Sequence, residues 1–216
     1  MAKVRMGMVG GGEGAFIGGI HRMAAAMDGE IELVCGAFSG DPERSARSGA
    51  MLYLEPERIY GDYRQMMSAE AALPADQRMQ FVAIVTPNDL HFPVAEAALG
   101  AGFHVLSDKP ATLSLAQALQ LRERVRDSGL LYGLTHTYTG YPLVKEARER
   151  ISRGELGKIR KVVVEYTQGW LADRQEDLGN KQASWRLNPA QAGVSSCMGD
   201  IGVHAANLAE YVSGLN

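Results

Sequence analysis

A cluster of glycines near the N-terminus constrains this 216-residue chain more than any other stretch. Gly10, Gly12 and Ala15 match the spacing G-x-G-x-x-G/A, directly after an apolar run over residues 4–9. This spacing lets a chain turn sharply off a strand, admit a pyrophosphate against bare backbone, and pack the next helix close to the sheet. The motif is weak by itself, because a glycine-rich structural turn has the same appearance in a chain with 25 glycines.

The elements around the glycines supply the context that the motif requires. Residues 4–9 and 31–38 are predicted to form buried strands, and residues 16–27 a helix between them. Asp41 and Pro42 suit the cap and the first turn of a further helix. Strand, glycine turn, helix and strand make one βαβ unit, which is the setting of a dinucleotide-binding turn.

The end of the second predicted strand bears on the choice of dinucleotide. An acidic residue at this place commonly binds the ribose hydroxyls. Ser39 stands there instead, and a serine hydroxyl can donate to a ribose hydroxyl or to a 2′-phosphate. Asp41 is acidic but is better explained as a helix cap. The sequence therefore leaves NAD and NADP open.

The same alternation of strands and helices continues to residue 134. The further strands are predicted at 59–60, 81–85, 105–106 and 131–134, and the further helices at 62–70, 90–100 and 114–128. This order predicts the α/β class, with a doubly wound parallel sheet of the Rossmann type. Ligands bind such sheets beyond the carboxyl ends of the strands. We therefore expect Gly10, Ser39, Thr86 and Asp108, which follow four predicted strands, to converge.

The pattern changes after His136, and we assign residues 1–138 and 139–216 to two domains. A charged helix is predicted over 143–153, an alternating strand over 161–170, a polar irregular segment over 171–193 and a second helix over 199–212. The strand has no predicted partner in the chain, and a lone strand exposes both edges. We expect either that the missing strands come from another chain or, as we favour, that this is part of a longer protein.

Composition excludes several classes of function. The hydrophobic fraction of 46% and charged fraction of 22% are typical of a globular protein. A net charge of -3 without any basic run gives no reason to expect nucleic acid. No apolar run is long enough to predict a membrane span. Cys35 and Cys197 form no C-x-x-C pair and no secretory signal is evident, so we expect a cytoplasmic location.

Three further motifs carry a family resemblance. They are Thr86-Pro87-Asn88-Asp89-Leu90-His91, Asp108-Lys109-Pro110 and Gly199-Asp200-Ile201-Gly202-Val203-His204. Together with the glycine motif, and in this order, they closely resemble the glucose–fructose oxidoreductase/inositol dehydrogenase/MocA (Gfo/Idh/MocA) family over essentially the whole chain. The resemblance implies an N-terminal Rossmann domain and a C-terminal α+β domain whose mostly antiparallel sheet often mediates dimers or tetramers. Family members normally continue past the equivalent of Asn216, which implies that the chain is truncated in its second domain.

The resemblance also implies a set of residues around NAD or NADP. The cofactor-binding set is Gly10, Gly12, Glu13, Gly14, Ala15, Phe16, Ile17, Ser39, Thr86, Pro87, Asn88, His91, Asp108 and Lys109. Two positions depart from the family pattern. Asp108 replaces the usual glutamate, and the ribose position at Ser39 lacks the frequent aspartate.

Three residues are candidates for catalysis. Lys109 alone reads as a surface lysine, and Asp200 and His204, four apart on a predicted helix, fit either an ion pair or an acid/base pair. Two ligands on one helix need a third for a metal, and no other His or Cys is placed to help, so we predict no metal. The resemblance implies catalysis, with His204 as general acid/base and with Asp200 and Lys109 beside it.

Aromatic and basic residues of the second domain are candidates for substrate contact. Tyr138, Trp170 and Arg186 are the predicted substrate-binding residues, with His136 as a further lining residue, and core packing is the alternative for each aromatic ring. The resemblance implies hydride transfer to or from a secondary alcohol of a sugar, cyclitol or polyol. The alternatives are glycoside cleavage through transient oxidation, with no net redox change, and a dinucleotide-binding sensor without turnover.

Overall fold

A computed structural model describes residues 2–169, 172–175 and 177–215. Its internal contacts divide the chain into two compact units, Met1–Leu134 and Thr135–Asn216. No helix in the described part of the chain is long and apolar enough to cross a lipid bilayer.

The first unit alternates strands and helices along its whole length. The strands are β1 (Val4–Gly10), β2 (Ile31–Ala37), β3 (Phe81–Val85), β4 (His104–Ser107) and β5 (Tyr132–Leu134). The helices are α1 (Ile17–Ala26), α2 (Pro42–Met51), α3 (Tyr63–Ala72), α4 (His91–Gly100) and α5 (Leu115–Ser128), with short 3₁₀ turns at Pro56–Arg58 and Asn88–Leu90. The predicted α/β class is confirmed, and most predicted bounds lie within two residues of the observed ones.

All strand pairs of this unit are parallel, in the order β2-β1-β3-β4-β5. The strand predicted at 59–60 is wrong as a strand, because Ile59 makes only a single parallel bridge to Gly36. The Pro56–Arg58 turn ends just before Ile59 and α3 starts at Tyr63, so no room is left for a longer ladder. With Ile59 counted as the outermost position, the order is that of the dinucleotide-binding Rossmann fold. The strand order reverses at β1, between β2 and β3, and ligands bind such sheets at this reversal.

Side chains at the helix ends explain where several helices begin. The Asp41 carboxylate accepts hydrogen bonds from the Glu43 and Arg44 amides at 3.0 and 3.2 Å, and Pro42 occupies the first turn of α2. Asp62 caps α3 in the same way, and the Ser114 hydroxyl caps α5. These caps satisfy amides that have no partner within the helix. The predicted capping role of Asp41 is confirmed.

The two faces of the sheet each pack into an apolar core. Val82 and Ile84 of β3 point into one core, while Ala83 and Val85 point into the other, as expected for a strand buried on both faces. Methionines form a large part of both apolar cores. Met6, Met8, Met66, Met67 and Met79 are all at most 3% exposed.

A buried carboxylate fixes the outer margin of the sheet. Glu70 of α3 is fully buried and binds the Arg58 guanidinium through both oxygens, at 3.0 and 2.5 Å. It also accepts from the Tyr60 hydroxyl at 3.1 Å and the Met79 amide at 2.9 Å. Burial, reinforced by the charge of Glu70, raises the pKa of the Tyr60 phenol and of the Cys35 thiol. Three groups, the Arg58 guanidinium, the Tyr60 hydroxyl and the Met79 amide, therefore share one carboxylate.

The described residues of the second unit are helical or irregular. Its helices are α6 (Pro142–Ser152), α7 (Lys181–Arg186), α8 (Pro189–Ala192) and α9 (Val203–Ser213), with a 3₁₀ turn at Thr137–Gly140 and a π-helical turn at Met198–Gly202. Helix α6 packs against α9, where the Arg148 guanidinium lies 4.4 Å from the centre of the Tyr211 ring.

Three predictions for this unit need correction. Residues 161–169 are not a strand, because no strand lies beside them among the described residues of the unit to take their backbone hydrogen bonds. The segment 171–193, predicted to be irregular, contains α7 and α8. The helix predicted over 199–212 is divided, with the π-helical turn ahead of α9.

Candidate functional site

The glycine turn after β1 has a backbone conformation that residues other than glycine rarely adopt. Gly10, Gly11 and Gly14 have φ angles of 84°, 72° and 73°, in the left-handed region that favours glycine. A Cβ at Gly12 would lie 2.7 Å from the Phe38 carbonyl oxygen. The Gly12 amide donates to that same carbonyl at 3.3 Å, so the turn lies directly against the end of β2.

Two side chains from neighbouring helices hold this turn. The Arg22 guanidinium of α1 donates to the Gly11 carbonyl at 2.9 Å, and burial lowers the pKa of Arg22. The Ser48 hydroxyl of α2 accepts from the Glu13 amide at 3.0 Å. Neither side chain was predicted to belong to the site, because a helical Arg and Ser look like surface residues without the fold.

The end of β2 presents a hydroxyl where many related folds have a carboxylate. The Ser39 hydroxyl oxygen accepts from the Asp41 amide at 3.1 Å. The Asp41 carboxylate is engaged as the cap of α2. The group at the expected ribose position is thus a serine hydroxyl, as the sequence predicts.

The end of β3 lies beside the glycine turn. A Cβ at Gly10 would lie 3.0 Å from the Thr86 methyl carbon, so the two strand ends are adjacent. The Thr86 hydroxyl is buried, and it has no hydrogen-bond partner in the part of the chain that the structure describes. Asn88, in the 3₁₀ turn that follows, is also buried. A buried hydroxyl without a partner costs free energy unless a ligand or water satisfies it.

The end of β4 carries the Asp108–Pro110 turn. The Asp108 amide donates to the Ile84 carbonyl at 2.9 Å, which continues the pairing of β4 with β3. The Asp108 carboxylate accepts from the Lys109 amide at 2.8 Å, and the Lys109 side chain is half-buried. Burial lowers the pKa of His21 in α1, while the negative charge of Asp108 acts in the opposite direction. The sequence predicted no role for His21, which lies close enough to Asp108 to be affected by its charge.

His91 joins the two turns that follow β3 and β4. Its ring is 1% exposed, and Nδ1 lies 2.6 Å from the Pro110 carbonyl oxygen while Nε2 lies 3.0 Å from the Thr86 carbonyl oxygen. A neutral imidazole donates only one hydrogen bond, so the tautomer decides which carbonyl receives it. The sequence predicted a cofactor contact for His91, whereas the ring is engaged by backbone carbonyls.

These strand ends fit a dinucleotide. The glycine turn leaves the backbone uncovered at the start of α1, where helix amides and the helix dipole favour a phosphate. The Thr86 hydroxyl offers a buried donor on the other side of the strand-order reversal. Pro87, Ala15, Phe16 and Ile17 lie in the same turns or at the first residues of α1, which leaves the predicted cofactor set on one edge of the sheet.

A group of rings surrounds His204 in the second unit. His204 lies in the first turn of α9, and the centre of its ring is 4.7 Å from that of Tyr138, with the two planes at 68°. The rings of His136 and Tyr166 lie 6.1 and 6.2 Å away, both edge-on. These contacts restrict the orientation of the imidazole.

The phenols beside His204 are linked by hydrogen bonds. The Tyr138 and Tyr166 hydroxyl oxygens are 2.5 Å apart, and the Gln168 amide donates to Tyr166 at 2.7 Å. The hydrogen bond to Tyr166, with burial and nearby negative charge, raises the pKa of Tyr138 to about 12. Tyr138 is therefore a neutral donor or acceptor at physiological pH.

Asp200 lies in the π-helical turn, and it pairs with a cation on another helix. The Arg186 Nε of α7 lies 3.4 Å from an Asp200 carboxylate oxygen, and its guanidinium stacks 4.3 Å from the centre of the Trp185 ring. Asp200 and His204 are four residues apart, as the sequence predicts, but the segment that joins them is a π-helical turn followed by α9 instead of one continuous α-helix. Such turns often occur at functional sites.

The structure places two further residues, Tyr166 and Gln168, beside the predicted site residues. Tyr166 and Gln168 were missed, although their spacing of two residues in an alternating segment was the available signal. Trp170, predicted to bind substrate, lies outside the described residues.

Two family models match the chain. One is described as "Oxidoreductase family, NAD-binding Rossmann fold" and covers residues 4–136, and the other as "GFO/IDH/MocA C-terminal domain" and covers residues 144–216. Among curated relatives, the chain is 32% identical over 210 residues to the uncharacterized oxidoreductase YfiI of Bacillus subtilis (strain 168), covering 97% of this chain and 53% of that protein. It is 29% identical over 216 residues to the levoglucosan dehydrogenase of Pseudarthrobacter phenanthrenivorans, covering 99% and 52%.

Solved structures show the same similarity. An inositol dehydrogenase homolog from Azotobacter vinelandii, complexed with NAD+, is 40% identical with a TM-score of 0.93, over 98% of this chain and 54% of that one. A levoglucosan dehydrogenase in complex with NADH and levoglucosan is 27% identical with a TM-score of 0.82, over 98% and 54%. The chain thus spans about half the length of the relatives that it matches.

Proposed function

Since the chain belongs to the Gfo/Idh/MocA family of oxidoreductases, we propose that it binds NAD or NADP and acts on a secondary alcohol of a sugar, cyclitol or polyol. In this proposal residues 1–138 form the dinucleotide-binding domain and residues 139–216 form part of the substrate domain. The observation that carries the dinucleotide is the glycine turn, where the backbone at Gly12 leaves no space for a side chain. Relatives named as a levoglucosan dehydrogenase and as an inositol dehydrogenase homolog support the substrate class.

We assign the proton transfer to His204. When bound, the nicotinamide supplies the chemistry of hydride acceptance and donation at carbon. Oxidation of a secondary alcohol also requires loss of the hydroxyl proton, and an imidazole accepts a proton well at neutral pH. The rings of Tyr138 and Tyr166 orient this imidazole, which keeps a nitrogen directed at one substrate oxygen.

Lys109 and Asp200 have supporting roles in the proposal. Lys109 donates a hydrogen bond to the reacting oxygen and stabilises negative charge that develops there. Asp200, held by Arg186, accepts a hydrogen bond from a substrate hydroxyl. Tyr138 and Arg186 contact further hydroxyls of the substrate, since a neutral phenol and a guanidinium both donate to oxygen.

The proposal is tested by titrating the chain with NADH and NADPH and then assaying a panel of sugars, cyclitols and polyols for change in cofactor absorbance. Binding of one cofactor together with turnover of at least one alcohol is the expected result. Product release from glycosides without net cofactor change overturns the redox function in favour of glycoside cleavage. Binding without turnover of any compound overturns catalysis in favour of a sensor.

Gly12→Ala tests the glycine turn. The new methyl carbon meets the Phe38 carbonyl oxygen at a distance that real Cβ atoms do not adopt, so the turn must shift. We expect the Kd for NADH to rise at least about tenfold, equivalent to about 1.4 kcal/mol. Gly100→Ala is the control, because a Cβ at the end of α4 meets nothing within 4 Å. An unchanged Kd in Gly12→Ala contradicts the assignment.

We also propose a cytoplasmic location and a homo-oligomer. Both cysteines are free thiols in the structure, with Cys35 buried and Cys197 exposed, and an exposed free thiol suits a reducing compartment. The oligomer rests on the family resemblance and is tested by light scattering, in which a monomer at all concentrations contradicts it.

A further inference from the structure

We propose that His91 is a positioning residue for the dinucleotide, tying the turn after β3 to the turn after β4 through the Thr86 and Pro110 carbonyls. The inference rests on the proposed cofactor binding and goes beyond it, because it assigns a role to a buried side chain that need not touch the ligand. It also replaces the direct cofactor contact that the sequence predicted for His91.

The two turns begin where the pairing of β3 with β4 ends. Ladder pairing between β3 and β4 ends at Ile84 and Ser107, with one further bond from the Asp108 amide to Ile84. Past that point the His91 ring links the two turns. Its Nδ1 lies 2.6 Å from the Pro110 carbonyl oxygen and its Nε2 lies 3.0 Å from the Thr86 carbonyl oxygen. Beyond the last ladder bond, the distance between the two turns therefore depends on the His91 side chain.

The topology indicates which half of the dinucleotide these turns face. The pyrophosphate is expected at the glycine turn after β1 and the adenosine ribose at the end of β2. The dinucleotide crosses the reversal of strand order, so its nicotinamide half lies toward β3 and β4. The Thr86 hydroxyl and Lys109 belong to the two turns that His91 joins, so the ring sets the spacing between two groups at the strand ends that this half is expected to cross.

The two contacts of the His91 ring differ in length. His91 begins α4, directly after the 3₁₀ turn Asn88–Leu90, which brings its Nε2 back to the carbonyl five residues earlier. The contact from Nδ1 to Pro110 is the shorter of the two. We therefore expect Nδ1 to be the donor that matters more, with the bond to Pro110 holding the Asp108–Pro110 turn.

Three substitutions separate hydrogen bonding from packing. His91→Phe keeps a ring and removes both nitrogens. His91→Asn places an amide N–H near the position of Nδ1, and His91→Gln places one near the position of Nε2. We expect the Kd for NADH to rise about tenfold in His91→Phe, because the hydrogen bond that the imidazole donates is lost. His91→Asn is expected to restore more of the affinity than His91→Gln.

A second probe distinguishes positioning from general destabilisation. ADP occupies only the adenosine and diphosphate side, so its Kd is expected to be the same in wild type and in all three variants. His104→Phe is the matched control, because His104 Nδ1 accepts from the Leu131 amide at 3.0 Å at the opposite end of β4. This control is expected to lower thermal stability without changing the Kd for NADH.

The outcomes are distinct. Wild type that fails to bind NADH overturns the proposed function, and this inference with it. Wild type that binds NADH together with an unchanged Kd in His91→Phe overturns only the inference. A loss of NADH affinity that neither Asn nor Gln restores, or an equal loss of ADP affinity, assigns His91 to packing and also overturns it. Should His91→Phe fail to fold, His91→Asn and His91→Gln decide the matter through the ratio of their NADH and ADP affinities.

Discussion

Replacement of His204 by asparagine is expected to lower kcat by about 10²–10⁴-fold, the usual contribution of a positioned general acid/base. The Kd for NADH is expected to stay unchanged, because His204 lies on α9, outside the glycine turn and the strand ends of the first unit. The measurement is steady-state turnover of whichever alcohol the panel identifies, with NADH titration of the same preparation.

The rings packed around His204 mean that the experiment must separate loss of the imidazole nitrogens from loss of packing. Tyr138 lies 4.7 Å away, so a smaller side chain also removes packing. Phenylalanine at 204 keeps the ring contacts without a titratable nitrogen, and kcat is expected to fall as far as in the asparagine variant. His104→Asn makes the same chemical change at a histidine outside the proposed site. Normal turnover in either His204 variant is incompatible with the role assigned to the imidazole.

The second large effect concerns stability. Glu70→Ala is expected to lower the free energy of unfolding by about 3–5 kcal/mol, as for other buried pairs that lose one partner. The change leaves the Arg58 guanidinium, the Tyr60 hydroxyl and the Met79 amide without the acceptor that they share. Chemical unfolding followed by circular dichroism measures the effect.

An exposed glutamate provides the matched control for Glu70. Glu123 of α5 pairs with Arg122 and Arg126, all substantially exposed, and Glu123→Ala is expected to cost no more than about 1 kcal/mol. Glu70→Gln keeps the shape and removes the charge, so its unfolding free energy should lie between those of wild type and Glu70→Ala. A Glu70→Ala protein as stable as the Glu123 control refutes the idea that one carboxylate holds this margin.

The fold of the first unit could be predicted because its signals are local. Apolar runs such as 81–85 and caps such as Asp41 specify an element from a few adjacent residues. The family and the α/β class, inferred from four motifs in order, are confirmed. Helix α5, predicted over 114–128, follows the Ser114 cap and ends before Gly129.

What could not be predicted depends on contacts between distant segments. Glu70 looks like any polar residue of an amphipathic helix until Arg58 and Met79 fold against it. The double contact of His91 needs two turns that only the parallel sheet brings together. Residues 161–169 have the alternation of a strand, but a ladder also needs a neighbour, which a single-segment pattern does not report. The π-helical turn at Asp200 likewise has no periodic signature that separates it from α9.

The single bridge at the outer margin of the sheet has a consequence for motion on slow timescales. The Tyr60 amide donates to Gly36 at 2.8 Å, and this backbone bond is flanked by side-chain contacts instead of further ladder bonds. Amide hydrogen exchange at Tyr60 should therefore follow a partial opening of lower free energy than exchange in β1, which is paired on both sides. Since Tyr60 and Arg58 are held by Glu70, the carboxylate that limits global unfolding also controls how often this margin opens.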